Sequence, residues 1–139
     1  MTAEEFVINI KNMQPSNEMY RKLSVSSSFI VDYNRIFNLK TRETQQKFIS
    51  PFEDLMYNYD VTNLTVGLIK FINPKYINEQ YLAIAEVELD YLVLDQDLIK
   101  YISFTDNKVI SCISTKDNFL KVLYELLNYL NNCLFALSN

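Results

Sequence analysis

Carboxylates are the side chains of this sequence whose spacing could do chemistry. Between residues 76 and 99 there are six acidic residues and no lysine or arginine. They are Glu79, Glu86, Glu88, Asp90, Asp95 and Asp97. The net charge of the whole chain is −4, so this segment carries −6 and the other residues sum to +2. Glu86, Glu88 and Asp90 alternate with apolar residues, which predicts a row of three carboxylates about 7 Å apart on one strand face.

Such a row is typical of an electronegative surface that docks a basic protein, because complementary charge raises the association rate and selects partners. We predict that Glu86, Glu88, Asp90, Asp95 and Asp97 bind this partner. Three alternatives stay open: a solvated sheet face or charged edge, a divalent-cation site, and a carboxylate-pair hydrolase using Glu86 and Glu88. Carboxylates 7 Å apart cannot share one ion without further ligands, and the chain is short for a deep cleft. We therefore expect no metal, no cofactor and no enzymatic activity.

The residues that are missing exclude many classes of enzyme. The chain has no histidine, which excludes histidine-based triads and nearly all catalytic zinc sites. Its single glycine, Gly67, excludes the glycine-rich loops that bind nucleotide phosphates. The negative total charge, with tyrosines interleaved among acids, argues against nucleic acid and anionic membrane as partners.

The cysteines and the first residues indicate a compartment. Cys112 lies in an apolar strand-like run and Cys133 on an apolar helical stripe, so we predict two buried, reduced thiols; a disulfide or a reactive thiol is the alternative. The first five residues include two acids, Glu4 and Glu5, and lack an apolar signal core. No run of about 18 apolar residues occurs. These features predict a soluble cytoplasmic protein.

Helices are predicted in the first half of the chain. Thr2 and Glu5 form a capping box for a helix that ends near Pro15. Residues 16–28 read as a loop or a frayed helix. A second helix is expected from Ser28 to about Leu39. A polar connection, a short strand at residues 48–49 and a small helix over residues 52–59 follow.

Strands are predicted in the second half. Residues 64–72 form one strand. Residues 81–95 alternate with period two and form either one long strand or two that meet near Asp90, with Ala83, Ala85, Val87, Leu89, Tyr91 and Val93 on one face. Residues 98–104 and 108–114 make a hairpin around the turn at residues 105–107, and the short connections favour antiparallel pairing.

The last helix is predicted to be capped by Ser114 or Thr115. Its apolar stripe consists of Phe119, Leu123, Leu126, Leu130, Cys133 and Leu137, and it is widened by Leu120, Leu127 and Leu134. Packing against the chain's own sheet is the favoured interpretation. The alternative is a coiled-coil or homodimer contact through this helix, which would make the protein a self-associating structural or adaptor domain. Together the elements predict one α+β domain over residues 1–139, with an antiparallel or mixed sheet of five or six strands, N-terminal helices and a long C-terminal helix.

Several short motifs resemble a known family. The segments are Ser28-Phe29-Ile30-Val31-Asp32-Tyr33-Asn34-Arg35-Ile36-Phe37-Asn38, Ile49-Ser50-Pro51-Phe52-Glu53-Asp54-Leu55, Val66-Gly67, Leu82-Ala83-Ile84-Ala85 and Ile113-Ser114 through Phe119-Leu120 to Leu127. In this order they are similar to motifs of the SUKH superfamily, the Smi/Knr-type α+β fold common among bacterial immunity proteins. Leu39 and Glu86 stand where that family has glycine-rich turns. The resemblance implies an immunity protein that covers the active site of a cognate toxin, and the acidic segment would suit a basic toxin.

Overall fold

The computed structural model describes residues 1–136, which form five helices and eight strands. The elements are α1 (Ala3–Lys11), α2 (Asn17–Leu23), α3 (Ser27–Arg35), β1 (Lys40–Thr41), α4 (Pro51–Asn58), β2 (Tyr59–Asp60), β3 (Thr65–Val66), β4 (Ile69–Tyr76), β5 (Leu82–Val87), β6 (Asp90–Asp95), β7 (Leu98–Ile102), β8 (Val109–Thr115) and α5 (Lys116–Ala136). The predicted α+β class is confirmed, with a six-stranded sheet and the long α5 packed against it.

The strands of the main sheet follow one another in chain order, from β3 to β8, and every neighbouring pair is antiparallel. Short turns between successive strands dictate this arrangement, because parallel neighbours would need long crossover connections. Strands β1 and β2 form a separate two-stranded pair. The last strand, β8, therefore lies at one edge of the main sheet.

The two faces of the sheet differ in what covers them. Helices α1, α4 and α5 contribute Phe6, Phe52 and Phe119 to the main core, together with Phe71 and Leu92 of the sheet. We call this side the helix face. Each such side chain contributes about 1.5–3 kcal/mol by its burial. The other side, the outer face, carries a smaller buried cluster of Tyr81, Ala83, Val93 and Ile102.

Helix starts follow the local signals in the sequence. The hydroxyl of Thr2 accepts a hydrogen bond from the N–H of Glu5 at 3.1 Å, Pro51 is the first residue of α4, and the hydroxyl of Thr115 accepts from the N–H of Asn118 at 3.3 Å. Of the alternatives for residues 16–28, the structure has the helix α2. Helix α3 ends at Arg35, short of the predicted end near residue 39, because the chain turns there to bury Phe37 in the core.

The predicted strand at residues 48–49 is wrong. Ile49 is fully exposed. The strand of this region is β1, which precedes α4 and pairs with β2, the strand that directly follows α4. The buried side chain of Asn58 holds the intervening loop: its amide donates to the carbonyl of Gln46 at 2.6 Å and its oxygen accepts from the N–H of Gln46 at 2.8 Å. The pairing of β1 with β2 joins segments on either side of α4, so the local sequence does not reveal it.

The single strand predicted over residues 64–72 is two strands. Val66 of β3 lies opposite Ile69 of β4, so the chain reverses at Gly67 and Leu68. Gly67 has φ +62°, a conformation that glycine adopts without a Cβ penalty. The lone glycine of the chain therefore makes a hairpin.

Both cysteines are exposed, which contradicts the predicted burial. Cys112 lies on the edge strand β8, outside the area that α5 covers. On α5 the inward positions are Phe119, Leu120, Leu123, Leu127, Asn131 and Phe135. Asn131 takes the inward position in the last turns by accepting from the Tyr33 hydroxyl at 2.9 Å and donating to the Met13 carbonyl at 3.4 Å. Cys133 consequently faces outward, and Leu137 lies outside the described residues.

Candidate functional site

The acidic residues Glu86, Glu88 and Asp90 lie around the tip of the β5–β6 hairpin. Val87 is paired with Asp90, so Glu88 and Leu89 form a two-residue turn between the strands. Glu88 has φ +56°, a left-handed conformation that is uncommon for a residue with a Cβ. Leu89 projects into solvent with 82% of its surface exposed.

The predicted row of three carboxylates on one strand face is wrong. Glu86 is opposite Tyr91 and Val87 is opposite Asp90; since directly opposed residues share a face and neighbours alternate, Glu86 lies on the outer face and Asp90 on the helix face. A register shift between Ala83 and Ala85 also changes which residues face inward. The bulge and the turn therefore distribute the six apolar residues predicted for one face over both faces and the turn.

Asp90 is held firmly by neighbouring groups. Its carboxylate accepts a hydrogen bond from the Tyr101 hydroxyl at 2.7 Å and another from the N–H of Phe104 at 3.1 Å. These two bonds, the tyrosine first, keep the pKa of Asp90 below its usual value because they stabilise the charged form. Asp90 thus fixes the chain after β7 and with it the position of Phe104.

A groove of about 190 Å³ lies at this tip. Its apolar walls are Leu89, Tyr91 and Phe104, and the two aromatic rings lie with centroids 5.9 Å apart. Phe104 is 57% exposed, and Glu86 and Glu88 line the same groove. We call this set the hairpin-tip groove. It combines apolar contact area with an acidic rim.

The rim carboxylates are not equally compensated. Lys70 of β4 lies directly opposite Glu86 and offsets part of its charge, although the two make no ion pair within 4.0 Å. Glu88 is exposed in the turn and forms no ion pair with any of residues 1–136. Glu88 is therefore the carboxylate of the groove most available to an incoming cation.

Asp95 and Asp97 lie at the other end of β6, away from the hairpin tip. The carboxylate of Asp95 is buried and bonds the Lys100 ammonium at 2.7 Å and the Gln80 amide at 3.1 Å. The bond from Lys100 lowers the pKa of Asp95, and the same bond raises the pKa of Lys100. Asp97 lies 3.3 Å from the ammonium of Lys116. The structure therefore brings three of the five predicted binding residues together and places the other two in ion pairs elsewhere.

Sequence reasoning missed the apolar part of the groove. The sequence pattern places Leu89 on one face of a strand and Phe104 at the end of another strand, whereas both line the groove. Of the two alternatives predicted for residues 81–95, the structure has the pair of strands, which meet at the turn just before Asp90; this reversal exposes Leu89. The contact between Phe104 and the tip depends on Asp90 and was not visible in the local pattern.

Metal binding has no support in the part of the chain that the structure covers. Among residues 1–136, no group of three or more acidic or cysteine side chains is arranged to hold a metal ion. Both oxygens of Asp90 already accept hydrogen bonds from protein groups.

None of the helices within residues 1–136 combines the length and the apolar character that crossing a membrane requires.

Comparison with known proteins gives no assignment. No protein-family profile matches the chain, and neither curated proteins nor solved structures show a significant match to it. The hairpin-tip groove and the architecture around it are thus the basis for a functional proposal.

Proposed function

We propose that this protein is a protein-binding module whose hairpin-tip groove docks a cationic side chain of another protein. One observation carries the proposal: an exposed groove with walls of Leu89, Tyr91 and Phe104 bears two carboxylates on its rim. Exposed apolar side chains that cluster at a turn are typical of a contact surface. The acidic rim restricts the partner to one that presents positive charge.

The geometry suits a lysine or arginine side chain in particular. The aliphatic stem of such a residue buries itself along apolar surface, here Leu89 and the rings of Tyr91 and Phe104. Aromatic faces attract the cationic head group, and a carboxylate accepts its hydrogen bonds. Glu88 supplies that carboxylate with Glu86 beside it, while Asp90 has a positioning role because each of its oxygens already accepts a hydrogen bond from the chain itself.

The specific form of the proposal is an immunity protein that blocks a cognate bacterial toxin. This form depends on the sequence resemblance to the SUKH superfamily. Binding would cover the active site of a basic toxin by steric and electrostatic means. The acidic groove supports the electrostatic part of this proposal, since a cationic enzyme surface would be attracted to it.

A peptide titration tests the groove directly. The probes are the acetylated and amidated tripeptides Gly-Arg-Gly and Gly-Gln-Gly, followed by two-dimensional NMR of the wild type. We expect the arginine peptide to shift the signals of Leu89 and Phe104, and the glutamine peptide to shift them far less. Equal shifts with both peptides would refute recognition of a cation at this groove.

Charge reversal tests the role of the groove in a complete complex. A partner captured from native lysate is purified, and its association is measured with wild type and with the Glu86→Lys/Glu88→Lys variant. We expect association to slow about tenfold or more at low salt, and its salt dependence to flatten. The Glu43→Lys/Glu125→Lys variant changes the net charge equally at exposed positions and should associate much faster. Equal loss in both variants would contradict a local docking site.

A further inference from the structure

A second groove lies between helix α3 and β3, the edge strand of the main sheet that is farthest from β8. Its volume is about 400 Å³, and its apolar walls are Phe29 and Tyr33 of α3 and Ile36, the residue that follows the helix. Thr65 of β3 and Lys70 of β4 line it on the side of the sheet. We call this cavity the α3 groove.

Lys70 gives the α3 groove its net charge. Asp32 and Arg35 also line the groove, but they form an exposed ion pair of 3.5 Å and offset each other. Lys70 is exposed and forms no ion pair with any of residues 1–136. The α3 groove is therefore cationic with apolar walls, opposite in sign to the hairpin-tip groove.

The register of the strands joins the two grooves. Thr65 is opposite Lys70, Lys70 is opposite Glu86, and Glu86 is opposite Tyr91. Because directly opposed residues share a face, these four residues form one row across β3, β4, β5 and β6 on the outer face. The row begins in the α3 groove and ends in the hairpin-tip groove. The two grooves are thus parts of one surface, with Lys70 and Glu86 at its centre.

The spacing along this row is set by the sheet. Neighbouring strands lie about 4.7–4.9 Å apart, so Tyr91 and Lys70, two strands apart, are separated by about 10 Å. A partner segment that fills the hairpin-tip groove and continues along the row covers Lys70. Removing an unpaired ammonium from water is costly unless an opposite charge meets it. A carboxylate placed there would have two donors, the Lys70 ammonium and the hydroxyl of Thr65 on the adjacent strand.

We propose that the partner of the hairpin-tip groove also presents a carboxylate to Lys70, about 10 Å from its cationic side chain. This extension rests on the proposed function and makes the partner more specific: its contact segment carries a positive and a negative charge at a fixed spacing, and not positive charge alone. Lys70 is then a specificity-determining residue, because a purely basic segment would place a like charge against it.

Two rigid peptides test the spacing. In the polyproline II conformation three residues make one turn with a rise of 3.1 Å each, so side chains three residues apart share a side and lie about 9 Å apart. The probes are acetylated and amidated Gly-Arg-Pro-Pro-Glu-Gly and Gly-Arg-Pro-Pro-Gln-Gly, titrated into the wild type and followed by two-dimensional NMR. We expect the glutamate peptide to bind about twofold to fivefold tighter, the gain typical of an exposed ion pair, and to shift the signals of Lys70 and Thr65.

Substitutions of two lysines on β4 test the residue. Lys70→Gln should bind both peptides equally, and Lys70→Glu should bind Gly-Arg-Pro-Pro-Lys-Gly tighter than the glutamate peptide. Lys75→Gln is the matched control, because Lys75 is an exposed lysine of the same strand that lies opposite Ala83 and lines neither groove. This variant should keep the preference of the wild type for the glutamate peptide.

The outcomes separate the role of Lys70 from the proposed function. Equal affinity of the wild type for the glutamate and glutamine peptides, with shifts at Leu89 and Phe104 for both, would retain the cation-binding groove and overturn the role of Lys70. A preference for glutamate that persists in Lys70→Gln would overturn it too. Absence of shifts at Leu89 and Phe104 with either peptide would refute the proposed function itself, and the carboxylate contact with it.

Discussion

The hydroxyl of Tyr101 donates a 2.7 Å hydrogen bond to the carboxylate of Asp90. The bond ties the first residue of β6 to the adjacent strand β7, and the second oxygen of the carboxylate accepts from the chain after β7. Asp90 therefore differs from Glu88, its neighbour at the hairpin tip, although the two are separated by one residue. The carboxylate of Asp90 holds the groove together, and the carboxylate of Glu88 is available for contact with a partner.

Substitution of these two acids should separate stability from binding. Asp90→Ala leaves the Tyr101 hydroxyl without its acceptor and releases the N–H of Phe104, so we expect a lower Tm and weaker binding of the arginine tripeptide. Glu88→Ala should weaken peptide binding with little change in Tm. Thermal unfolding by circular dichroism and NMR titration measure the two effects. A Tm loss in Glu88→Ala as large as in Asp90→Ala would contradict this division.

The ion pair of Asp95 with Lys100 predicts a dependence of stability on pH. Since the pKa of Asp95 in the folded protein is below its ordinary value of 3.8, the folded state binds the proton less readily than the unfolded state does. The contribution of Asp95 to the free energy of unfolding is therefore present above about pH 4 and is lost as the pH falls through the folded pKa. Urea unfolding should show a deficit for Asp95→Asn that is largest near pH 7 and shrinks in acid.

Tyr20→Phe provides a contrasting case. Burial raises the pKa of the Tyr20 hydroxyl to about 12, so this group does not titrate between pH 7 and acid. Any loss of stability in Tyr20→Phe should therefore be the same at neutral and at acid pH. A deficit of Asp95→Asn that is independent of pH would show that its cause is packing and not ionisation.

Gly67→Ala should destabilise the protein by about 1–2 kcal/mol. The residue needs a positive φ, and an added Cβ would lie 3.3 Å from the Cδ1 of Leu130 on α5. Gly67→Asn is the control for the backbone effect, because asparagine tolerates the left-handed conformation better than alanine does. We expect the free energy of unfolding to decrease in the order Gly, Asn, Ala. Equal losses for both variants would assign the cost to the Leu130 contact.

Asn58→Ala should cost about 1–3 kcal/mol. The side chain is buried and bonds both backbone groups of Gln46 as well as the carboxylate of Asp54 at 2.7 Å. Without it the backbone of the loop loses its partners, so faster proteolytic cleavage within residues 42–49 should accompany the loss. Asn63→Ala, at an exposed position, should leave both quantities unchanged. Unaltered proteolysis in Asn58→Ala would contradict a role in holding this loop.

The sequence predicted the elements that local chemistry determines. Thr2, Pro51 and Thr115 mark helix starts because their caps use groups within one turn, and the α+β class follows from the order of elements. The hairpins at Gly67 and at Glu88 were harder to predict, because apolar residues continue through the reversal. At Glu88 no glycine or asparagine marks the left-handed turn, and the bulge at residues 83–85 changes the facing of the strand by one residue.

The acidic site was predicted in composition but not in shape. Glu86, Glu88 and Asp90 do lie close together, yet on two faces and a turn. The apolar walls of the groove depend on Phe104, which reaches the tip through a hydrogen bond to Asp90. Contacts of that kind join segments 14 residues apart, and no periodicity in the sequence reports them.

The sequential order of the main sheet has a consequence for synthesis. Each strand from β4 to β8 pairs with the strand made just before it, so the sheet can assemble stepwise from contacts between nearby segments, a topology that favours rapid folding. Until α5 has been translated the helix face is covered only in part, by α1 and α4, because α5 supplies Phe119, Leu123 and Leu127 to the core. A nascent chain that stalls after β8 would have a formed sheet with apolar side chains exposed on its helix face and an unpaired edge strand. This incomplete chain is the species most in need of a chaperone.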